Sequence, residues 1–317
     1  MNNLFIIATV IVIVYLSLLF IFYVPANKNI SESFDKSNIN SISLDFIKSF
    51  SKVNSLYRPV PSNNLEKVKS NVINLLNQIP NFIIKKQFFT KKIHNKEYYF
   101  SNIIANSNNF NKTKPYIILS AHIDGPVNQI GSPASIDAIV SIGIIIELAR
   151  QLMKNIKNYN LQIVFFDGEE AIDGSWSNDN TLSGSNFFVK QLDSTPSQVF
   201  VFDLIGADIT KNKLYAYSTN PKSHELMSKL AWINNDLYPE NKRIFVDPNE
   251  SISYAIIKDD SVPFYNASIP VIDLIPPTFP STHHTLNDNY QNVNWEYVDV
   301  FANVIYNYLL KNPVYSL

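Results

Sequence analysis

No cysteine occurs in the 317 residues, which excludes a disulfide scaffold, a thiolate nucleophile and every metal or cluster site built on cysteine. Any metal has to be held by histidine, aspartate and glutamate, and only five histidines are present. A dominant charge is lacking as well. Lys and Arg number 26 against 27 Asp and Glu, a formal net charge of -1, so there is no global field to hold nucleic acid and none is expected as a partner. Glycine is scarce, and all seven, Gly125, Gly131, Gly143, Gly168, Gly174, Gly184 and Gly206, fall in one stretch of sequence. That concentration marks where the backbone has special work. What the chain has in quantity is apolar side chain, 46% against 17% charged, which excludes a disordered chain and supplies a sizeable core.

The longest apolar run, Leu4 to Val24, carries no charge. At about 1.5 Å per helical residue it reaches across a hydrocarbon core of about 30 Å, so residues 1–25 read as a transmembrane signal anchor. A secretory signal peptide is the competing reading. Against it, the run is longer than an ordinary signal core, no basic residue precedes it, and Val24-Pro25-Ala26-Asn27 is a poor cleavage site. Lys28, the only basic residue nearby, weakly favours a cytosolic location for its own side. Residues 26–42 are rich in Ser and Asn and read as a polar tether, leaving 43–317 as the folded domain.

Within that domain a helical pattern over Val68, Val72, Leu75, Leu76 and Ile79 precedes two β-rich stretches, FIIKKQFF and EYYFSNIIA, expected to form a hairpin. Short apolar runs then alternate with helical patterns: YIILSAHID, a helix from Ile136 to Leu152, LQIVFFDG, a helix after Ser185, VFVFDLIG, a helix around Leu226 to Ile233, IPVIDLIP and a closing helix from Asn294. This is the pattern of an α/β fold with a mixed, mainly parallel central sheet and helices on both faces.

The four core runs end in polar residues: His122 and Asp124, Asp167 to Glu170, Asp203, and the segment Pro276 to His284. In an open α/β sheet, functional residues gather beyond the carboxyl ends of the strands, so these are expected to converge. The adjacent carboxylates Glu169 and Glu170 repel each other unless a cation or a shared proton intervenes. Asp137 sits where a long apolar helix begins, and an N-cap is its plain structural alternative. One histidine with two carboxylates suits a catalytic zinc with an open position. No G-x-S-x-G elbow, phosphate-cradling glycine loop or H-E-x-x-H pair is present.

Taken together, SAHIDGP, SIDAIVSIGIIIELAR and LQIVFFDGEEA resemble the zinc-dependent aminopeptidase-like superfamily. DGEEA followed by Trp176-Ser177, with TLSGSNFF, VFDLIGA, DDSVPF and FPSTHHTLNDN, narrows the likeness to glutaminyl-peptide cyclotransferases, over residues 45 to 312. The resemblance implies one zinc per chain on Asp137, Glu170 and His284, with Glu169 as acid/base. Asp203 and Asp259 complete an acidic set, and Trp176, Phe279 and His283 line the substrate pocket. The substrates implied are peptides or proteins with N-terminal glutamine, which would be converted to pyroglutamate with release of ammonia. His283 stands where the family usually has tryptophan and is a second candidate ligand; register favours His284, which precedes Thr-Leu-Asn-Asp-Asn. A secretory-lumen or extracellular catalytic domain is the corresponding location, and the sequons at Asn29, Asn111, Asn249 and Asn266 fit it without deciding it. The alternative is a metallo-aminopeptidase, in which His122, Asp137, Glu170, Asp203 and His284 supply a two-zinc site.

Overall fold

The structure, a computed structural model, describes residues 42–156, 159–177 and 179–311. Two helices open it: α1, Leu44–Asn54, and α2, Asn63–Asn77. Each begins at a serine whose hydroxyl accepts a main-chain N–H of the first turn, Ser43 from Phe46 and Ser62 from Leu65, which satisfies one orphan donor of the helix end. Strands β1, Phe82–Ile93, and β2, Lys96–Ser107, form the expected antiparallel hairpin.

Then come β3, Ile117–His122; α3, Val140–Asn155; β4, Leu161–Phe166; α4, Ser183–Lys190; and β5, Gln198–Phe202. The chain continues through α5, His224–Leu237; α6, Ser261–Asn266; β6, Val271–Leu274; and α7, Trp295–Leu310. One six-stranded sheet has the order β1-β2-β4-β3-β5-β6. The pairings β3–β4, β3–β5 and β5–β6 are parallel, while β1–β2 and β2–β4 are antiparallel.

Successive side chains of a strand face opposite sides of the sheet, and both sides are covered. On one, Val164, Phe166, Val199, Val201 and Val271 pack with Phe188 of α4 and Phe264 of α6. On the other, Phe200 meets Tyr308 and Phe202 meets Phe301, both from α7. Gly143 lets α1 lie close to α3, since a Cβ there would sit 2.9 Å from the Phe50 ring.

Two expectations need correction. Helix α3 starts at Val140 rather than Ile136, because residues 135–139 form an irregular π turn; Asp137, at φ -113 and ψ 75, is not its N-cap. Helices α1 and α6 were not foreseen from periodicity. Among the described residues no helix is long and apolar enough to cross a membrane; the expected anchor over residues 4–24 and the tether ahead of Ile42 lie outside the described residues.

Candidate functional site

Four parallel strands side by side deliver the polar residues to one end of the sheet. His122 is the last residue of β3, and Asp124 follows it. Asp124 accepts the main-chain N–H of Glu169 on Oδ1 and of Glu170 on Oδ2, each at 3.1 Å, so one buried carboxylate shapes the turn that carries the glutamate pair. Gly168 starts that turn at φ +75, where a Cβ would lie 2.5 Å from the Phe100 ring; no other residue type fits both demands.

Asp137 is held through its backbone. The Arg58 guanidinium, fully buried, donates to the carbonyls of Ile123 at 2.8 Å, Pro133 at 2.8 Å, Ala134 at 3.1 Å and Asp137 at 2.9 Å. Asp288 joins the histidine loop to the same turn, accepting the Ile136 N–H at 2.7 Å.

Asp137 is the hub of two groups of ligand-type atoms. Its Oδ1 is 2.9 Å from His122 Nε2, which lies 3.4 Å from Asp203 Oδ1. Its Oδ2 is 3.2 Å from His284 Nε2 and 3.7 Å from His283 Nε2, and His284 Nε2 is 3.1 Å from Glu170 Oε1. Within the described residues, Asp137–His283–His284 and His122–Asp137–Asp203 are the sets compact enough for one ion, and Glu170 joins the first through His284.

The fit to a metal is tested by what these atoms lack. Asp137 Oδ2 and His122 Nε2 are buried without a hydrogen-bond partner despite their close neighbours. Separations of 3.1 and 3.2 Å are close to the edge, about 3.3 Å, of a tetrahedron of zinc bonds about 2.0–2.1 Å long. The donor set therefore fits a divalent cation such as zinc.

The electrostatics make the same demand. Burial works against charge on His122, yet Asp124, Asp137 and Asp203 outweigh it and hold the imidazole protonated. Burial likewise opposes charge on His284, but Asp137 and Glu170 push it up to about 11. Protons on these two rings supply positive charge where a bound cation would supply it instead. Around them the carboxyls are pushed up. Burial, reinforced by Glu170, Asp260 and Asp259 and partly offset by His122, lifts Glu169 well above the usual range. Burial lifts Asp203 to about 7 against the pull of His122.

Every residue singled out as catalytic, metal-binding or substrate-binding lines a single cavity of about 380 Å³: Asp137, Glu169, Glu170, Trp176, Asp203, Asp259, Phe279, His283 and His284. The acids form its buried floor, and Trp176 and Phe279, 44% and 42% exposed, form its rim. His283 stacks on His284 with ring centroids 3.8 Å apart and meets Phe279 edge-on at 4.7 Å, so it occupies a wall as an aromatic would.

Sequence reasoning passed over Ile256, Ile257, Lys258 and Ile275, which also line the cavity. It also passed over Arg58 and the buried carboxyls Asp260 and Asp273. Asp260 was visible as the second aspartate of DDSVPF, and Asp273 as the one acid inside the apolar run VIDLI. Arg58 gave no local signal.

A model described as Peptidase family M28 matches residues 102–309. The glutaminyl-peptide cyclotransferase of Boiga dendrophila is 26% identical over 248 residues, covering 67% of this chain and 65% of the snake protein; the chain thus spans just under two thirds of that relative. The crystal structure of Macrostomum lignano glutaminyl cyclase superposes with a TM-score of 0.76 at 23% identity, covering 88% of this chain and 94% of that one. A Zn-dependent exopeptidase from Parabacteroides distasonis superposes with a TM-score of 0.74 at 16% identity, covering 86% and 100%. The fold is therefore shared with proteins of both names.

Proposed function

The chain belongs to peptidase family M28, and within it we propose a glutaminyl-peptide cyclotransferase that closes N-terminal glutamine of peptides or proteins to pyroglutamate with release of ammonia. The observation that carries this reading is the cavity in which Glu169, Glu170, Asp203, Asp259 and the histidine pair meet under an aromatic rim, together with relatives of that name. One zinc per chain would be held by Asp137, Glu170 and His284. Bound there, it supplies a Lewis acid toward the side-chain amide oxygen.

Glu169 takes a proton from the substrate α-amine and returns one to the departing ammonia. Its pKa, raised by burial and by Glu170, Asp260 and Asp259, makes it a stronger base than a solvated carboxylate, as taking up the amine proton requires. Asp203 and Asp259 orient the amine and the amide nitrogen from the floor. Trp176, Phe279 and His283 confine the aliphatic part of the glutamine in its folded rotamer, and ring closure within one bound molecule gains most from such positioning.

A second reading is favoured by the His122–Asp137–Asp203 group beside the first, which would let a two-zinc aminopeptidase use the same residues. Incubating the protein with a Gln-initiated peptide separates the two. Ammonia loss from an intact peptide with about one zinc per chain supports cyclisation, whereas released free glutamine with two zinc ions would overturn it.

The catalytic domain, 43–317, is proposed to follow a single-pass signal anchor at residues 1–25 and the tether at 26–42. It would face the lumen of the secretory pathway or the cell exterior. The uncharged run Leu4 to Val24 supports the anchor. Digestion of the domain by protease added outside sealed microsomes would refute a luminal placement.

A further inference from the structure

We propose that Tyr254–Lys258 form a ledge that pairs edge to edge with the main chain of a substrate peptide, just downstream of the terminal residue held in the cavity. This rests on the cavity being a site for peptide N-termini. The ledge begins as part of a paired edge: the Ser253 N–H donates to Ala216 O at 2.9 Å, and Ser253 O accepts the Ser218 N–H at 2.8 Å. Pairing then stops while the chain continues toward the site. Over the next five residues no carbonyl accepts a hydrogen bond from the described protein. The only N–H that donates is that of Ala255, to Ser253 Oγ at 3.2 Å.

A run of unpaired N–H and C=O groups is half of a β ladder, and an extended peptide is the complement that satisfies it. Continuity with the site identifies the occupant. Ile256, Ile257 and Lys258 are part of the cavity wall, and the next residue, Asp259, is buried in its floor. A peptide whose first residue fills the cavity therefore leaves it along this segment.

The side chains alternate as on a strand. Tyr254 and Ile256 are 78% and 86% exposed, while Ala255 and Ile257 are partly covered. Trp176 lies alongside, its ring 6.0 Å from Lys258 Nζ. Exposed apolar groups on both sides of the exit path select an apolar side chain at the second or third residue of the substrate.

The test uses Gln-initiated tetrapeptide amides carrying a single N-methyl group on the amide nitrogen of the second, third or fourth residue, assayed by ammonia release. Successive residues of a strand turn their N–H groups to opposite edges. Methylation should therefore raise KM about five-fold at one position and be tolerated at its neighbour, with kcat little changed. Tyr254→Asp, at a 78% exposed position outside the cavity wall, should abolish a preference for Leu over Ser downstream of the glutamine, yet leave KM for glutamine amide, which is too short to reach it. Uniform KM values across the methylated set, or an unaltered preference in Tyr254→Asp, would overturn the proposal. If no ammonia is released from any substrate, the cyclase reading has failed and the ledge is judged separately. Calorimetric titration of the zinc-loaded protein with the same peptides should then show the same alternation in Kd, and its absence there equally rejects the ledge.

Discussion

Arg58 does not itself line the cavity, yet its replacement should damage the site. Its guanidinium makes four hydrogen bonds of 3.1 Å or less to carbonyls of Ile123, Pro133, Ala134 and Asp137, tying the exit of β3 to the turn that presents Asp137. Arg58→Met keeps much of the volume but leaves these carbonyls without donors in a buried place, at about 1–3 kcal/mol for each group left unsatisfied. Releasing a buried charge offsets part of this, so a net loss of about 3–5 kcal/mol is expected. That is a large share of a typical folding free energy of about 5–15 kcal/mol. For a domain of this size the melting temperature should fall by about 10 °C. Because the Asp137 backbone is freed, zinc affinity should fall about ten-fold or more, as for other supports of metal ligands. Arg58→Lys keeps the charge but reaches fewer of the carbonyls, and should lie between. Thermal melts with and without chelator, and zinc competition against a chromophoric chelator, measure the two effects separately. An Arg58→Met protein within about 1 kcal/mol of wild type and with unchanged zinc affinity would refute the account.

Glu169→Gln should keep the fold and its zinc but lower turnover about a hundred-fold or more; a parallel loss of zinc, read by atomic absorption, would exchange its role with that of Glu170. Glu170→Ala and His284→Ala should each lower zinc content, since each removes one of three proposed ligands, whereas His283→Ala should retain it. The reverse result would move the ligand to His283, which also lies within reach of Asp137 Oδ2 at 3.7 Å. The metal-free protein should lose stability as pH rises. Burial, reinforced by Asp137, lifts Asp288 to about 7. A carboxyl whose folded pKa exceeds its unfolded value contributes stability that is fully present below the unfolded pKa, about 4, and lost as pH rises through about 7, here about 4 kcal/mol. Asp288→Asn retains an acceptor for the Ile136 N–H and should flatten that dependence in urea titrations run with chelator; an unchanged slope would show that Asp288 does not ionise in this range.

How much of this was legible in the sequence follows from how each feature is encoded. The hairpin, the core strands and helices α3, α5 and α7 announce themselves because their apolar periods persist over many residues. Helix α6 is six residues long, too short for any period to show, and the start of α3 is displaced because the irregular turn at 135–139 is built from tertiary bonds rather than local propensity. The acids at the strand ends were legible because a parallel sheet converts four separate chain positions into one place. Asp273 illustrates the limit: it lies on β6 opposite Val201 of β5, and an acid in an apolar run states that something must compensate it without stating what. In the folded chain its Oδ2 accepts the Ser261 hydroxyl at 2.8 Å, while its Oδ1 is buried without a partner. Burial and Asp259 hold its pKa well above the usual range, so the cost is met largely by keeping the proton. Arg58 and the ledge at 254–258 were illegible for a common reason. Their roles consist in main-chain groups bonded or left unbonded, and every residue type except proline carries the same main-chain donor and acceptor. Residue identities therefore reveal the chemistry a site contains, while the scaffold that aims it and the edge that receives a substrate emerge only when the backbone hydrogen bonds are followed one by one.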